Sequence, residues 1–127
     1  MSQQRRKVVF VVDDDASIRT LVVKALKVKG YDVIEAEDGL KASEMLGRLT
    51  NQPDLLILDV MMPTIDGFSL ARMVKSHKEL QNTPIIFLTA KTQPKDFAQG
   101  LSLGARHYIQ KPFQLQDLRQ AMARLLS

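Results

Sequence analysis

Residues 55–59 read Leu-Leu-Ile-Leu-Asp, which is four apolar side chains in succession followed by a carboxylate. A strand that is apolar at successive positions, and not only at alternate ones, is covered on both faces by other parts of the protein. Residues 8–12 form a second run of this kind, and Asp13, Asp14 and Asp15 follow it directly. Both runs predict interior strands of a parallel sheet, each ending in acidic residues.

The sequence on either side of these runs alternates between strand patterns and helix patterns. Helical segments place apolar residues three or four positions apart, as at Leu115, Leu118 and Met122. Strands are predicted at residues 7–13, 31–35, 54–59, 84–89 and 106–110. Five strands joined by right-handed helical crossovers predict an α/β fold, a doubly wound parallel sheet with helices on both faces. Ligands of such folds bind beyond the carboxyl ends of the strands.

Short signals mark the ends of the predicted helices. Gly30 and Gly104 stand where helix C-caps are needed, and Pro94 suits the first turn of a helix. Asp38 and Asp66 are predicted N-caps, and a glycine follows each of them. These positions agree with the strand boundaries given above.

The composition is that of one folded domain. The chain has 127 residues, 45% of them hydrophobic, which suits a single domain over residues 1–127 with a basic tail at 1–6. It has no cysteine, so disulfides, thiolate metal sites and cysteine nucleophiles are excluded. No apolar stretch reaches the roughly 20 residues of a membrane span, and we expect a soluble, cytoplasmic protein. The net charge of +4 comes from scattered residues, which predicts no direct contact with nucleic acid.

Polar side chains follow four of the predicted strands: Asp13 to Asp15, Asp59, Thr89 and Lys111. Carboxylates gathered at one edge repel each other, and a hard divalent cation such as Mg2+ relieves that repulsion. A lysine and a hydroxyl group beside them suit a phosphoryl group. The chain contains no Gly-rich phosphate loop, and a carboxylate can itself attack phosphorus. Asp59, at the end of a central strand, is the best candidate nucleophile.

Five motifs together resemble the response-regulator receiver domain, in the right order and over nearly the whole chain. They are Val11-Val12-Asp13-Asp14-Asp15, Leu58-Asp59-Val60-Met61-Met62-Pro63, Asp66-Gly67, Leu88-Thr89-Ala90 and Tyr108-Ile109-Gln110-Lys111-Pro112-Phe113. The resemblance implies a (βα)5 flavodoxin-like fold with strand order 2-1-3-4-5. It also implies a phosphoacceptor regulator of a two-component system or phosphorelay.

The resemblance assigns roles to the acidic residues. It implies that Asp59 is the phosphoacceptor and that Mg2+ or Mn2+ is bound by Asp59, by Asp14 directly and by Asp13 through water. It further implies that the backbone carbonyl of Met61 completes the protein ligands. Asp15 is interpreted as a helix cap and stays outside the metal site.

The resemblance also describes the surroundings of the phosphoryl group. Thr89, Ala90 and Lys111 are expected to bind it, with a cis peptide bond between Lys111 and Pro112. Thr89 and Tyr108 form the expected switch. Structural interpretations of these two are a threonine at a strand end and a half-buried strand tyrosine.

Met61 and Lys91 occupy positions that tune hydrolysis in this family. A thioether is at best a weak hydrogen-bond acceptor, so Met61 cannot orient water well and a long-lived phosphoryl group is expected. Arg106 and His107 precede Tyr108 and are expected to make the face of the fourth helix, fifth strand and fifth helix unusually basic.

Partners and alternatives follow from the same resemblance. The expected donor is a sensor histidine kinase or a histidine phosphotransfer protein, and the expected target is a protein that binds the face of the fourth helix, fifth strand and fifth helix. A phosphorylation-dependent dimer is a further expectation; nucleic acid and membrane are not. The chain is expected to be a stand-alone switch, not an enzyme, that promotes its own phosphotransfer and dephosphorylation.

Three alternatives stay open at this point. A haloacid-dehalogenase-like phosphatase also uses a nucleophilic aspartate, but its D-x-D motif is missing because Met61 takes the third position after Asp59 and Val60. A pseudo-receiver would signal by protein contact alone. An excised receiver would be one part of a longer regulator.

Overall fold

The computed structural model describes residues 5–49, 52–91 and 93–126, within which five strands alternate with five helices. The first four residues of the predicted basic tail lie outside these ranges. The strands are β1 (Val8–Val12), β2 (Asp32–Ala36), β3 (Leu55–Leu58), β4 (Ile85–Thr89) and β5 (Ala105–Gln110). The helices are α1 (Ala16–Val28), α2 (Gly39–Leu46), α3 (Gly67–Ser76), α4 (Pro94–Ser102) and α5 (Leu115–Leu126). Every predicted strand end lies within one residue of the observed end.

The five strands form one parallel sheet in the order β2-β1-β3-β4-β5, which confirms the predicted fold class and strand order. Val12 at the end of β1 pairs with Ala36 of β2 and with Leu58 of β3. The three strands therefore end level with one another. The residues that follow β1 and β3, Asp13 and Asp59, emerge side by side at this edge.

Each face of the sheet packs against its own helices. Phe10 and Val12 of β1 pack into a core with α2 and α3, whereas Val9 and Val11 pack into a second core with α1 and α5. All five residues of β1 and all four of β3 are buried. The prediction from the continuous apolar runs, that these strands are covered on both faces, is confirmed.

The predicted helix boundaries are also observed. The carboxylates of Asp38 and Asp66 accept hydrogen bonds from the backbone N–H groups of Lys41 at 2.8 Å and Ser69 at 2.7 Å. Gly30 lies just beyond α1 with φ of 90°, a left-handed conformation that favours glycine. None of the helices among the described residues has the length and apolar character of a membrane span.

Gly67, the first residue of α3, allows a close approach between α3 and the end of β3. A Cβ atom at this position would overlap the carbonyl oxygen of Asp59 and lie 2.7 Å from the Cα of Val60. Glycine at position 67 therefore allows the start of α3 to pack closely against the segment that carries Asp59.

Ion pairs lie at the opposite edge, where the strands begin. Arg5 donates two hydrogen bonds to Asp54, at 2.9 and 3.0 Å, and the backbone N–H of Val8 donates a third at 2.8 Å. Arg6 lies 3.8 Å from Asp32. Burial acts to raise the pKa of Asp54, but the hydrogen bonds from Arg5 and Val8 outweigh it and hold that pKa below its usual value. This part of the basic tail is thus paired with acids of the sheet.

Candidate functional site

The acidic residues meet at the carboxyl edge of the sheet because β1 and β3 end level. The backbone N–H of Asp59 donates to the carbonyl of Val12 at 3.0 Å and continues the pairing of the two strands. Carboxylate oxygens of Asp13, Asp14 and Asp59 all lie within 4.8 Å of one another. Asp13 and Asp59 are buried, at 2% and 4% exposure, and Asp14 is exposed. The cluster is therefore open to solvent on the Asp14 side.

Lys111 is the counterion of the two buried acids. Its ammonium donates to Asp13 at 2.8 Å and to Asp59 at 3.2 Å, while its backbone N–H donates to the carbonyl of Thr89 at 2.8 Å. Burial acts to lower the pKa of Lys111, but the hydrogen bonds and charges of Asp13 and Asp59 outweigh burial and raise it. Lys111 is thus a fixed cation at this edge. The Lys111–Pro112 peptide bond is cis.

The pKa of Asp59 reflects its burial and its closeness to another acid. Burial, followed by repulsion from Asp13, raises the pKa of Asp59 to about 6, although Lys111 and the backbone N–H of Met61 act in the opposite direction. One ammonium therefore does not compensate the carboxylates fully. Three oxygen donors at this spacing, with a net excess of negative charge, fit a hard divalent cation such as Mg2+.

Asp15 takes no part in this cluster. Its carboxylate caps α1 by accepting hydrogen bonds from the backbone N–H groups of Ser17 at 2.9 Å and Ile18 at 3.2 Å. Its pKa is lowered mainly by the hydroxyl of Ser17, which donates at 2.7 Å. The structure places Asp15 where the sequence analysis expected a helix cap.

The predicted phosphoryl-binding and hydrolysis-tuning residues lie beside the cluster. Thr89 is fully buried at the end of β4, and its hydroxyl accepts a hydrogen bond from the backbone N–H of Lys91 at 3.2 Å. Met61, Ala90 and Lys91 line a cavity of about 350 Å³. The Met61 side chain is 53% exposed, and its backbone N–H donates to Asp59 at 3.0 Å. The side chain of Met61 is thus open to solvent, while its backbone contacts Asp59.

Tyr108 lies on β5 with its ring turned toward α4. The ring packs edge-on against Phe97, with 4.5 Å between centroids, and lies 5.9 Å from Phe87. Its hydroxyl is buried and has no hydrogen-bond partner in the described part of the chain. Burial, assisted by the charges of Asp96 and Asp59, raises the pKa of Tyr108 to about 12, so the hydroxyl stays protonated. It is a buried donor without an acceptor.

Two residues near the site were not predicted. Arg19 of α1 donates to the backbone carbonyl of Asp13 at 2.7 Å. Asp96 of α4 is buried, accepts from the backbone N–H of Gln93 at 3.2 Å and lies 3.8 Å from Lys91. Arg19 stands one helical turn beyond the acidic run, but no local pattern indicates its contact. Asp96 could have been found from the sequence, because an acidic residue in the first turn of a helix is a common stabilising pattern.

Comparison with known proteins agrees with this geometry. The sequence model described as "response regulator receiver domain" matches residues 9–123. The DNA-binding dual master transcriptional regulator RpaA of Synechocystis is 36% identical over 118 residues, which are 93% of this chain and 48% of RpaA. The phosphate regulon transcriptional regulatory protein PhoB of Pseudomonas aeruginosa is 40% identical over 112 residues, 88% of this chain and 48% of PhoB. This chain spans about half the length of these relatives.

Solved structures show the same fold. The chemotaxis protein CheY4 of Vibrio cholerae, at 34% identity, superposes with a TM-score of 0.88 over 96% of this chain and 100% of CheY4. The response regulator TrrA of Thermotoga maritima, solved in complex with Mg2+ and BeF, is 32% identical with a TM-score of 0.80, over 94% of this chain and 99% of TrrA.

These relatives correct the expectation about nucleic acid and confirm the expected family. The expectation that nucleic acid is excluded from the partners is wrong, because RpaA is a DNA-binding regulator by name and PhoB is a transcriptional regulator. RpaA and PhoB are about twice as long as the segment that matches this chain, so a contact with DNA need not involve that segment. The scattered charge of this chain therefore gave no information about DNA binding. The match over residues 9–123, the shared fold and the acidic cluster at the sheet edge establish that the chain belongs to the response regulator receiver domain family.

Proposed function

We propose that this chain is a phosphorylation-controlled switch in which Asp59 accepts a phosphoryl group from a phosphohistidine donor with the help of Mg2+. The observation that carries the proposal is the contact of Lys111 with both Asp13 and Asp59, beside the exposed carboxylate of Asp14. This arrangement provides a nucleophile, a cation and metal ligands at one point. Residues 1–127 are proposed to act together as a single receiver domain.

The transfer step uses groups of this chain in separate roles. A carboxylate oxygen of Asp59 attacks phosphorus, the P–N bond of the donor histidine breaks, and its electron pair stays with the imidazole nitrogen. Asp14 and the Met61 carbonyl are proposed as direct metal ligands, and Asp13 is proposed to act through water. When bound, Mg2+ neutralises charge on the phosphoryl oxygens and the carboxylates. The Mg2+–BeF complex of TrrA supports such a site.

Lys111, Thr89 and Ala90 are proposed to hold the transferred group. The ammonium of Lys111 moves from the carboxylates to a phosphoryl oxygen, an interaction that is short and charge-assisted. The Thr89 hydroxyl, at the end of β4, donates to another oxygen. Ala90 leaves room because its side chain ends at Cβ. The cavity lined by Ala90 and Met61 offers the space.

The output is proposed to pass through Thr89 and Tyr108. Movement of Thr89 toward the phosphoryl group vacates space behind it. The buried hydroxyl of Tyr108, which has no partner among the described residues, gains a hydrogen bond if the ring turns further inward. Tyr108 belongs to β5 and contacts α4, so its rotation alters the face formed by α4, β5 and α5. The names of RpaA and PhoB support a transcriptional output.

Met61 and Lys91 are proposed to set the lifetime of the phosphoryl group. The thioether of Met61, two residues beyond Asp59, is exposed to solvent and orients water poorly. The ammonium of Lys91 lies 3.8 Å from Asp96 and is drawn toward α4. Both features favour slow hydrolysis.

The decisive test is incubation of the chain with acetyl phosphate and Mg2+, followed by intact mass measurement. We expect a phosphate-sized gain that disappears in Asp59→Asn and on omission of Mg2+. An equal gain in Asp59→Asn would contradict the proposed function. Transfer from a phosphorylated histidine kinase in place of acetyl phosphate tests the identity of the donor separately.

A further inference from the structure

A contact between α1 and the acidic loop is not used by the roles described above. The guanidinium of Arg19 donates from Nη1 to the backbone carbonyl of Asp13 at 2.7 Å, and its side chain is only 17% exposed. Its Nε donates to Glu35 on β2 at 3.3 Å. Arg19 therefore connects the loop after β1 to the edge strand of the sheet.

The carbonyl that Arg19 holds belongs to the peptide unit joining Asp13 to Asp14. That unit is planar, so fixing its oxygen also fixes the direction of the Asp14 N–H and the position of the Asp14 Cα. The preceding peptide unit, which joins Val12 to Asp13, is held by a longer hydrogen bond of 3.4 Å from the Asp13 N–H to the carbonyl of Ala36. Arg19 thus makes a short contact with the peptide unit that leads directly into Asp14.

Asp14 depends on this backbone more than its neighbours do. The carboxylate of Asp13 is held by Lys111 at 2.8 Å and by the backbone N–H of Asp15 at 2.9 Å, and that of Asp59 by Lys111 and Met61. Within residues 5–49, 52–91 and 93–126, the side chain of Asp14 accepts no hydrogen bond. Its place in the cluster is therefore set by its own backbone.

We propose that Arg19, oriented by Glu35, is a positioning residue that presents the Asp14 carboxylate to the divalent cation. The inference rests on the proposed function, because it concerns the same metal site. Groups outside the ligand shell that orient ligands change metal affinity by about 10-fold to 100-fold when removed. We place Arg19 at the lower end, because it acts through a peptide unit and not on a carboxylate.

The direction in which Mg2+ affinity changes distinguishes a positioning role of Arg19 from an effect of its charge alone. A positive guanidinium near a cation site weakens cation binding by repulsion, so removing a residue that acted only through its charge would tighten the binding of Mg2+. Removing a positioning residue weakens it. The two roles therefore predict opposite shifts of the Mg2+ dissociation constant in Arg19→Ala.

The test is calorimetric titration of the full chain with MgCl2, with thermal unfolding measured on the same samples. We expect the dissociation constant to rise about 10-fold in Arg19→Ala. Arg19→Lys should recover part of the affinity, since its ammonium can reach a single acceptor. The matched control is Lys24→Ala, which removes an exposed cation from the same helix and should not weaken binding.

The outcomes are distinct. An unchanged or lower dissociation constant in Arg19→Ala, with Mg2+ bound by the wild-type chain, would overturn the role of Arg19 and leave the proposed function intact. A wild-type chain that binds no Mg2+ would overturn both. If Arg19→Ala does not fold, Arg19→Met decides the matter, because it removes the charge and the donor groups but keeps the length of the side chain: weaker binding supports the positioning role, and unchanged or tighter binding contradicts it.

Discussion

The Lys111 ammonium lies closer to Asp13, at 2.8 Å, than to Asp59, at 3.2 Å. The two acids therefore share one cation. Its shorter contact is to Asp13, whereas Asp59 is the proposed nucleophile. Lys111 compensates two buried carboxylates that come from different strands. Its removal should affect the stability of the fold as well as phosphotransfer.

We expect Lys111→Met to lower the free energy of unfolding by about 3 kcal/mol at pH 7 without Mg2+, because it leaves two buried acids without a counterion. Added MgCl2 should restore part of the loss. Urea unfolding measures both effects. Lys91→Met is the control, since Lys91 is exposed and lies 3.8 Å from its acid. Equal losses in the two variants would disprove the assignment.

Asp59→Asn should act in the opposite direction. Because the folded pKa of about 6 lies above the ordinary aspartate pKa of 3.8, ionised Asp59 destabilises the fold, and the stability present below pH 3.8 is lost as pH rises through 6. We expect the variant to be more stable than wild type by about 2 kcal/mol at pH 7 without Mg2+. The gain should vanish near pH 4. A gain that is independent of pH would argue against charge repulsion as its source.

Asp54→Asn tests the ion pair at the opposite edge of the sheet. Hydrogen bonds hold the folded pKa of Asp54 below its unfolded value, so its contribution is present above the unfolded pKa and lost as pH falls through the folded one. At pH 7 we expect a loss of about 1 kcal/mol, a modest value because Arg5 is exposed to solvent. Unfolding curves of the two proteins should converge as the pH falls below 4. Persistence of the full difference there would show that Asp54 acts through packing instead.

Gly67→Ala should destabilise the chain by about 3 kcal/mol, because the added Cβ would overlap the backbone at Asp59 and Val60. Gly47 provides a matched control: it ends α2 with φ of −76°, and nothing lies within 4 Å of a Cβ built there. Gly47→Ala should be neutral or slightly stabilising. Thermal unfolding compares the two, and a smaller loss at Gly67 than at Gly47 would be incompatible with the close approach.

Met61→Asn tests the proposed lifetime of the phosphoryl group. An amide can accept and donate hydrogen bonds to the attacking water where the thioether cannot, so autodephosphorylation should become faster. The increase should stay below the roughly hundredfold that a positioned general base supplies. Loss of phosphate from the purified phosphoprotein gives the rate. Met73→Asn, at an exposed position of α3, should leave the rate unchanged, and a slower or unaltered rate in Met61→Asn would refute the role.

The strands and the acidic cluster were predictable because their signals are local. Continuous apolar runs identify β1 and β3, and the residues that follow a parallel strand must emerge at its carboxyl edge. Asp13 and Asp59 therefore follow from the pattern once the two strands are neighbours.

Contacts between distant elements carry no such signal. Arg5 appeared in the sequence as one of several scattered basic residues, yet it pairs with Asp54, 49 positions away. The same holds for Arg19 and Glu35, whose contact depends on how α1 packs against β2. Such pairings are set by packing and register, which the one-dimensional pattern does not contain.

The ion pairs of Arg5 and Arg6 and the acidic cluster lie at opposite ends of the same strands. One end carries the hydrogen-bonded pair of Arg5 and Asp54, which favours folding, and the other carries buried carboxylates whose repulsion opposes it. The molecule thus separates the region that can be stabilised freely from the region where the proposed phosphotransfer uses destabilising acids. Engineering for heat resistance should therefore begin where the strands start, since stabilising changes where they finish would remove the acids that the proposed phosphotransfer needs.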